Sequence, residues 1–454
     1  MTDQKLDADS ANDIDLLHDL IARAKRAGAD AADAVLVEGI SLSHVRRLGK
    51  TEKLERAEGQ DLGLRVFVGK QQAIVSSSDR SAKALAELVE RTMAMARAVP
   101  EDEFCGIADP DQIARTWPDH LDMFDASEPT AETLIERAAA CEEAALAVSG
   151  VTNSEGAEAG WGRSRVALAA SNGFTGAYAG SSQGISASVI AGDGGGMERD
   201  YDYSSAVYAA DLRDPAEIGR RAGERAVKRL GARKMPTGRF PVVFDPRVAR
   251  SMLGHLLGAI TGPSIARGTS FLKDKLGQRI FPEAVNIIDD PHRPRGMRSK
   301  PFDGEGIANH RSAIVENGVL TTWLLDLRSA RQLGLKTTGH AARGTSGPPG
   351  PSASNVWLEP GALSPDELIA DIDSGFYVSE LMGQGVNGVT GDYSRGAAGF
   401  WIEKGQIAFP VSEMTVAANL KEMFQRLVAA NDLEFRNGVD SPTIRIDDLT
   451  VAGA

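Results

Sequence analysis

Apolar residues recur three or four positions apart in five segments of the chain, which is the spacing of one face of an α-helix. In the first segment, Leu17, Ile21 and Ala24 lie on one face behind Ser10 and Asn12, two residue types that cap helix N-termini. The pattern predicts amphipathic helices over residues 12–27, 81–98, 130–147, 215–230 and 246–260.

Alternation of apolar and polar residues marks the strands. Residues 33–77 alternate in several short runs, broken at Gly59 and Gly69, and predict an antiparallel meander. Residues 151–207 alternate again between glycine-rich turns. Farther along, short apolar runs between glycine and proline loops predict strands at residues 240–244, 356–358 and 399–402.

The order of these elements predicts an α+β protein, with an N-terminal α/β module of antiparallel strands and a β-rich C-terminal domain. A Pro-Thr-Gly turn within residues 234–238 is a natural boundary, so we expect domains at residues 1–235 and 236–454. An acidic, proline-interrupted stretch near residues 100–128 is interpreted as a surface connector. The basic side chains of the helix over residues 215–230 are interpreted as a solvated face.

The charge distribution excludes one class of partner. The chain has 454 residues with 63 acidic and 50 basic side chains, and a formal net charge of −13. Residues 101–160 hold 15 of the acidic side chains and only Arg115 and Arg137. Such a surface repels phosphate backbones, so nucleic acid is not expected as a partner. The two cysteines, Cys105 and Cys141, are too few for a disulfide framework and too far apart for a CxxC site.

The chain shows no pattern of a secretory signal or a membrane helix. Its first residues are polar and acidic, and no window approaches the ~18 consecutive apolar residues that a membrane helix needs. We therefore expect a cytoplasmic protein with no membrane partner.

The histidines lack the spacing of a helical zinc site. They lie at least 18 residues apart, whereas a motif such as HExxH places two ligands one turn apart. His255 is the one histidine on a strongly predicted helix, and a helical wheel places it with Met252 and Leu256 on the apolar side. We interpret His255 as a hydrogen-bonded core residue. The seven histidines are at positions 18, 44, 120, 255, 292, 310 and 340.

Two short segments combine groups that could serve acid–base chemistry or a hard metal ion. The first is Asp289-Asp290-Pro291-His292, and the second, residues 301–306, contains Asp303 and Glu305. Aspartate before proline initiates turns without any functional role, so a structural interpretation is favoured. A self-sufficient hydrolase with an unrecognised site near Asp289, His292, Asp303 and Glu305 stays open as an alternative.

The most unusual stretch is residues 381–396, with five glycines among 16 residues. Glycines are costly in chain entropy, so folded proteins keep them where backbones pass closely or φ is positive. A second run rich in glycine and proline covers residues 342–351. We predict that residues 381–396 form a shaped loop that contacts a peptide or another subunit. The candidate contact residues are Gly383, Gly385, Gly388, Asp392, Tyr393 and Arg395.

Several segments between about residues 30 and 425 carry motifs of a known protein family. They are Met197-Glu198-Arg199-Asp200-Tyr201, Arg267-Gly268-Thr269-Ser270-Phe271-Leu272, residues 301–306, Ser352-Ala353-Ser354-Asn355, and above all residues 380–385 with residues 394–401. In these segments the chain resembles the TldD/PmbA family of peptidases, also named modulators of DNA gyrase. Within that family it is similar to the PmbA branch, which is also called TldE.

The resemblance implies a cytoplasmic, heteromeric peptidase that acts on short or unfolded peptides. In that family the TldD-type subunit carries a zinc-binding HExxxH helix and a cysteine near the glycine-rich loop. Here Gly254 and Ala259 stand where the two histidines of that motif belong, His255 lies between them, and the loop has no cysteine. The resemblance therefore implies no catalytic residue, no metal ligand and no cofactor in this chain, with zinc expected in the TldD-type partner.

The leading hypothesis is a PmbA/TldE-type subunit that pairs with a TldD-type zinc-bearing subunit and forms part of the peptide channel. Exposed strands and glycine loops would hold an extended peptide through main-chain hydrogen bonds, with little sequence preference. We expect self-association or pairing through the C-terminal domain, with a homodimer when the partner is missing. Besides the hydrolase alternative, the third hypothesis is a peptide-binding modulator without proteolytic activity.

Overall fold

The computed structural model describes residues 3–119 and 121–453, so His120 lies outside the described residues. The helices are α1 Asp3–Arg26, α2 Ala82–Ala98, α3 Ala131–Leu146, α4 Pro215–Lys228, α5 Pro246–Ala259, α6 Gly262–Ala266, α7 Leu327–Leu333, α8 Pro365–Ile369 and α9 Leu420–Gln425. All five helices expected from the apolar periodicity are present. Helix α1 begins well before residue 12, and the other four begin and end close to their expected bounds.

The strands include every segment predicted from the alternating pattern. They are β1 Ala31–Arg47, β2 Lys50–Val68, β3 Gln71–Ser77, β4 Val151–Ala170, β5 Thr175–Ala191, β6 Glu198–Ala206, β7 Gly238–Phe244, β8 Ile287–Asp290, β9 Ser312–Glu316, β10 Val319–Leu320, β11 Ala341–Ala342, β12 Gly350–Pro351, β13 Asn355–Leu358, β14 Ser374–Met382, β15 Asp392–Glu403, β16 Gln406–Asn419, β17 Leu427–Ala429, β18 Val439–Asp440 and β19 Ile444–Ala452. Helices and strands occur together in both halves of the chain, which confirms the predicted α+β class.

The N-terminal half is built on one antiparallel sheet with the strand order β3-β2-β1-β4-β5-β6. Neighbouring strands pair over long stretches, as from Ala31 opposite Phe67 to Arg47 opposite Lys50. Helices α1 and α2 pack on Ala34 and the adjacent apolar side chains of one face. Helices α3 and α4 pack farther along the same face, against a cluster that includes Leu42 and Trp161 of neighbouring strands. One face of the sheet therefore carries all four helices.

The opposite face of this sheet contacts the connector and the C-terminal half. Val35 and Leu168 of the sheet pack in a cluster with Phe174 and with Phe302 from the C-terminal half. The Phe174 and Phe302 rings meet edge to face, 4.9 Å between centroids. Trp117 of the connector meets Phe302 in the same way at 5.1 Å. The part of the helix-free face around Val35 and Leu168 is thus covered by other parts of the same chain.

The connector between α2 and α3 is partly buried, although its composition is acidic. Cys105 and Ala114 are buried, and the Ala114 N–H donates to the Gly306 carbonyl oxygen at 2.8 Å. Arg331 of α7 donates to the carbonyl oxygens of Phe104, Gly106 and Ile107. Asp102 of the connector also accepts from Arg328 Nε of the same helix at 2.6 Å, so both backbone oxygens and an acidic side chain contact the C-terminal half.

The C-terminal half encloses the largest apolar core. Its main sheet has the order β16-β15-β14-β7-β19-β17, and β16 also pairs with β19, which closes the sheet on itself. A second sheet has the order β10-β9-β8-β13-β18. Helix α5 packs into this core with Met252 and Leu256, next to Phe244 and Phe376 of the main sheet. The predicted β-rich character of this half is confirmed.

A buried ionic cluster joins the two halves. Asp33 of β1 accepts hydrogen bonds from Arg65 of β2 and from Arg343, which follows β11 in the C-terminal half. All three side chains are less than 5% exposed. Burial alone would raise the pKa of Asp33, but the two guanidinium groups outweigh it and lower that pKa. Asp33 is therefore ionised at neutral pH and neutralises charge from both halves.

We predict that Asp33→Asn strongly destabilises the protein, because it leaves Arg65 and Arg343 buried without a counter-charge. Removing one partner of a buried ion pair typically costs about 3–5 kcal/mol. Urea unfolding should therefore show a large drop in the free energy of unfolding. The matched control is Asp448→Asn, which removes an exposed partner of Arg239 and should change stability little. Equal losses in both variants would contradict the structural role of Asp33.

Candidate functional site

Helix α5 places His255 at the border of the C-terminal core. The helix begins at Asp245, whose side chain accepts the Arg247 N–H, and Pro246 occupies the first helical position. Gly254 and Gly258 lie on the exposed side, whereas Ala259 is buried. His255 is only half-buried. The histidine therefore sits where the apolar face of α5 meets the molecular surface.

Tyr393 is the aromatic partner of His255. The two rings meet edge to face, with 5.8 Å between centroids and 76° between planes. Tyr393 lies on β15 and is 2% exposed. Neither His255 Nε2 nor the Tyr393 hydroxyl has a hydrogen-bond partner among the described residues, although both atoms are buried. His255 was expected to be a hydrogen-bonded core residue, so its unpartnered nitrogen differs from that expectation.

Burial and one nearby cation determine the protonation of this aromatic pair. Burial lowers the pKa of His255, and the positive charge of Arg395 lowers it further. Burial raises the pKa of Tyr393, against the opposing effect of Arg395. At neutral pH the pair is therefore a neutral imidazole and a neutral phenol beside a guanidinium group.

The glycine arm, residues 383–391, connects β14 to β15 above this pair. It is closed by backbone hydrogen bonds: Ser394 N–H donates to Gly385 O at 2.7 Å, and Asn387 N–H donates to Asp392 O at 2.8 Å. A Cβ on Gly385 would lie 1.9 Å from the Ser394 oxygen. Glycine at position 385 is therefore required by the close approach of two backbones.

Not every glycine of the arm is constrained in this way. Gly383 and Gly391 have φ of +77° and +87°, a region that disfavours other residues. Gly388 has no positive φ, and a Cβ there would meet no atom within 4 Å. The two glycines 385 and 388 thus provide a constrained and an unconstrained position three residues apart.

An exposed depression of about 550 Å³ lies against the arm, lined by residues 384–388 and 392–394. Asp392 at its rim accepts from Thr390 Oγ1 at 2.6 Å and from Asn419 Nδ2 at 3.1 Å. Arg395 donates from Nε to the Met382 carbonyl oxygen at 3.1 Å. Its terminal nitrogens donate to no acceptor in the described part of the chain. The guanidinium is therefore held at its base and has donors free toward solvent.

The residues of α5 do not fit a zinc ion. Gly254 and Ala259 have no ligating atoms, and His255 is the only imidazole of the helix. Within residues 3–119 and 121–453, no three His, Cys, Asp or Glu side chains cluster so that they could hold a metal ion. A tetrahedral zinc site needs three or four such ligands. The unpartnered His255 nitrogen alone cannot supply that set.

The candidate acidic site near β8 is brought together, but in the interior. Asp289 is fully buried and accepts from the Ser354 N–H, and its carboxylate lies 3.2 Å from His340 Nε2. Asp303 accepts backbone N–H groups from three residues, namely Glu305, Ile307 and Ala341. His292 contacts Asn309 Oδ1 at 2.8 Å. These side chains have structural partners in the protein.

Burial perturbs the titration of this acidic group. Burial lowers the pKa of Lys300, although the negative charges of Asp303 and Asp289 act to raise it. Burial also raises the pKa of Glu305, to about 8, with Arg65 opposing and Asp303 reinforcing the shift. Glu305 accepts the Leu327 N–H at 2.8 Å. Glu305 therefore packs as a neutral acid next to the Asp33 cluster at neutral pH.

A second ionic cluster between the halves was missed by the sequence interpretation. Asp202 on β6 is fully buried and pairs with Arg213 and Arg225, while Asp200 pairs with Arg247 of α5 at 2.7 Å. Arg225 is only 21% exposed, so the interpretation of α4 as having a solvated basic face is wrong for this side chain. The sequence of β6 contains a signal for this cluster, because its acidic residues at every second position, Glu198, Asp200 and Asp202, lie on one face of the strand.

Three family models together cover the first sheet, the closed β-sheet and the glycine arm. Family models for PmbA/TldA metallopeptidase domain 1, the central domain and the C-terminal domain match residues 32–96, 124–230 and 237–453. The chain belongs to the PmbA/TldA metallopeptidase family. The resemblance seen in the sequence motifs is confirmed.

Named relatives match along nearly the whole chain. A protein named Metalloprotease PmbA from Escherichia coli O157:H7 is 38% identical over 427 residues, covering 94% of this chain and 93% of the relative. A Metalloprotease PmbA homolog from Haemophilus influenzae is 36% identical over 436 residues, covering 95% and 94%. Both relatives carry the PmbA name of the branch that the motifs indicated.

Solved structures share the fold. A candidate modulator of DNA gyrase from Bacteroides thetaiotaomicron superposes with a TM-score of 0.90 and 29% identity, covering 97% of this chain and 98% of that chain. TldE from Thermococcus kodakarensis superposes with a TM-score of 0.87 at 20% identity, covering 96% and 100%. At that identity the second match shows the fold alone. No helix in the described ranges is long and apolar enough to cross a membrane.

We predict that the purified chain does not retain stoichiometric zinc, because α5 offers one imidazole where a zinc site needs at least three ligands. Elemental analysis after dialysis checks this, and about one zinc per chain would contradict it. The variant His255→Ala should lower the thermal midpoint without changing the metal content, because the imidazole packs against Tyr393.

We predict a pH-dependent stability term from Glu305. Its folded-state pKa of about 8 is above the unfolded value of about 4.3. The folded state therefore binds the proton more tightly than the unfolded state does. The resulting contribution to the free energy of unfolding is fully present below the unfolded-state pKa and is lost as the pH rises to about 8. Glu305→Gln should flatten the fall in unfolding free energy between about pH 5 and pH 8.

The control for this prediction is Glu87→Gln, which removes the same charge from the exposed face of α2. Denaturant unfolding at several pH values should give the wild-type slope for this variant. If Glu305→Gln kept the wild-type slope as well, the neutral state of Glu305 would be refuted.

Proposed function

We propose that this chain is a PmbA/TldE-type subunit of a cytoplasmic, heteromeric metallopeptidase, and that it binds peptide at the glycine arm. The observation that carries the proposal is the contact between His255 of α5 and Tyr393 of β15, beside the depression along the arm. Two segments more than 130 residues apart in sequence, both singled out by their composition, form one surface.

Side chains of residues that neighbour the lining residues in sequence have the chemistry to hold a peptide main chain. The free donors of Arg395 match the fork geometry of a carboxylate or the oxygens of successive peptide carbonyls. Val389 of the arm and Met382 at the end of β14 are about half-exposed, at 55% and 45%, and offer apolar contacts. Contacts of these kinds recognise backbone and general hydrophobicity, so short or unfolded peptides of varied sequence are the proposed substrates.

The hydrolytic metal is assigned to a partner subunit. Helix α5 carries Gly254 and Ala259 where ligands would be needed, so this chain lacks the groups for metal-assisted hydrolysis at α5. The family includes a protein named Metalloprotease TldD homolog, which matches half of this chain at 26% identity. A TldD-type, zinc-bearing subunit is therefore the proposed partner, and this chain supplies peptide-binding surface.

We predict that neither this chain nor a TldD-type partner alone reaches the peptidase activity of their mixture. Within the mixture, Arg395→Ala should raise KM roughly tenfold or more, because a charge-assisted hydrogen bond to the peptide is lost. Thermal stability of the isolated variant should stay close to wild type, since Arg395 makes one backbone contact, to Met382. Cleavage assays with a short unstructured peptide measure both effects.

A glycine outside the arm provides the matched control. Gly385→Val forces the arm open, because its Cβ would collide with the Ser394 oxygen, and should abolish cleavage by the mixture. Gly195→Val adds the same side chain to an exposed loop of the N-terminal half, where a Cβ would meet no atom within 4 Å, and should leave cleavage intact. Undiminished cleavage with Arg395→Ala and with Gly385→Val would refute the peptide role. Loss of assembly in parallel with loss of cleavage would instead assign the arm to the subunit interface.

A further inference from the structure

The alternation of side chains along β15 sorts the charged groups beside the glycine arm. Successive residues of a strand point to opposite faces, so Tyr393 and Arg395 share the face on which Tyr393 meets His255 of α5. Asp392 and Ser394 share the other face. The side of β15 that faces α5 therefore carries a guanidinium group and two neutral rings at the arm, without a carboxylate from residues 392–395.

The charge of Arg395 has no counter-charge in the described structure. The side chain is partly buried, its Nε donates to the Met382 carbonyl oxygen, and it forms no ion pair with any described residue. The acid of β14 that precedes Met382 by two residues, Glu380, is already paired with Arg229 at 2.6 Å. A partly buried charge without a partner is unfavourable, so an anion bound at this position would be stabilised.

Main-chain N–H groups of the arm add further donors. Those of Gln384, Gly385 and Gly388 donate to no acceptor in the described part of the chain, and all three residues line the depression. Residues 384 and 385 are successive, and successive N–H groups in a turn form a common binding element for anionic oxygens. The arm therefore offers backbone donors in addition to the guanidinium group.

The one acid among the described lining residues, Asp392, does not neutralise Arg395. Asp392 lies on the opposite face of β15 and accepts from the Thr390 hydroxyl at 2.6 Å and from Asn419 Nδ2 at 3.1 Å. These hydrogen bonds and the charge of Lys421 lower the pKa of Asp392, so its own negative charge is stabilised within the chain. The depression is therefore left with surplus donors and one unmatched positive charge.

A terminal carboxylate suits these donors better than an internal peptide carbonyl group does. A carbonyl oxygen is uncharged, so it would accept a hydrogen bond but leave the guanidinium group without a counter-charge. A carboxylate neutralises that charge and accepts two parallel N–H···O bonds from the guanidinium fork. Every unmodified peptide ends in a carboxylate, so recognition of this group is compatible with substrates of varied sequence.

We propose that Arg395 and the backbone donors of the arm bind the C-terminal carboxylate of the substrate peptide. This inference rests on the proposed peptide role of the glycine arm, and it narrows the substrate class to peptides with a free carboxyl end. Internal segments of a longer chain would lack the group that is recognised. An aspartate or glutamate side chain also supplies a carboxylate, and binding measurements distinguish the two sources.

Fluorescence anisotropy with three labelled alanine peptides tests the proposal on the isolated chain. The first peptide has a free carboxyl end, the second ends in an amide, and the third ends in an amide but contains one glutamate. The first should bind at least tenfold more tightly than the other two, because a charge-assisted hydrogen bond depends on its terminus.

Substitutions at position 395 assign this difference to the guanidinium group. Arg395→Gln should remove the difference in affinity, whereas Arg395→Lys, which keeps the charge but not the fork, should retain part of it. Arg26→Gln is the matched control, since it removes the same charge from the exposed end of α1 and should keep the full difference.

The imidazole of His255 gives a readout that is independent of affinity. The positive charge of Arg395 lowers the pKa of His255, so a carboxylate bound to Arg395 should raise that pKa. The pKa of His255 should therefore be higher with saturating free-carboxylate peptide than with saturating amide peptide. NMR titration of the imidazole signals, assigned with His255→Gln, measures this, and equal values with both peptides would contradict the proposal.

The outcomes separate this inference from the proposed function. Equal affinities for the free-carboxylate and amide peptides, lost together in Gly385→Val, would overturn the inference and retain the peptide role of the arm. Equal affinities for the free-carboxylate and glutamate-containing peptides would also overturn it. Absence of peptide binding, or binding that neither Arg395→Gln nor Gly385→Val weakens, would overturn both.

Discussion

A carboxylate buried between two guanidinium groups joins the halves of this protein. Asp33 belongs to the first sheet, whereas Arg343 comes from a loop more than 300 residues later. A buried charge without its partner costs several kcal/mol, so the two halves have one favourable arrangement. On the same face of the sheet, Phe174, Phe302 and Trp117 pack together, and Glu305 packs as a neutral acid near Arg65. The ionic cluster and this aromatic group together hold the C-terminal half against the first sheet.

Local features of the fold could be predicted from the sequence. The helical periodicity of α5 and the alternation of β1 are properties of neighbouring residues, so short windows contain them. The glycine arm could be located because its composition is costly unless a special backbone is needed. The contact of His255 with Tyr393 could not be predicted, because the pairing of two distant segments depends on how the sheet closes through β16 and β19.

The partners of buried charged residues are difficult to predict from the sequence for a physical reason. Arg225 and Asp303 are residue types that usually lie at the surface. A single sequence does not show whether such a residue has a hydrogen-bond or ion-pair partner that is distant in the chain. In the structure, Arg225 forms an ion pair with the buried Asp202, and Asp303 accepts hydrogen bonds from three backbone N–H groups. Groups near β8 that could have served catalysis therefore have structural partners within the C-terminal half. The buried polar atoms without a hydrogen-bond partner in the described structure include His255 Nε2 and the Tyr393 hydroxyl, next to the glycine arm.

The proposed site is one that binds peptide and does not itself hydrolyse it. Its elements are a shaped backbone, a guanidinium held at its base, and a helix without metal ligands. The most direct test is photo-cross-linking of a short peptide with a diazirine label to a mixture of this chain with the proposed TldD-type partner, followed by mapping of the adducts. The account predicts adducts on this chain within residues 382–395. Adducts confined to the partner, or to other surfaces of this chain, would contradict it.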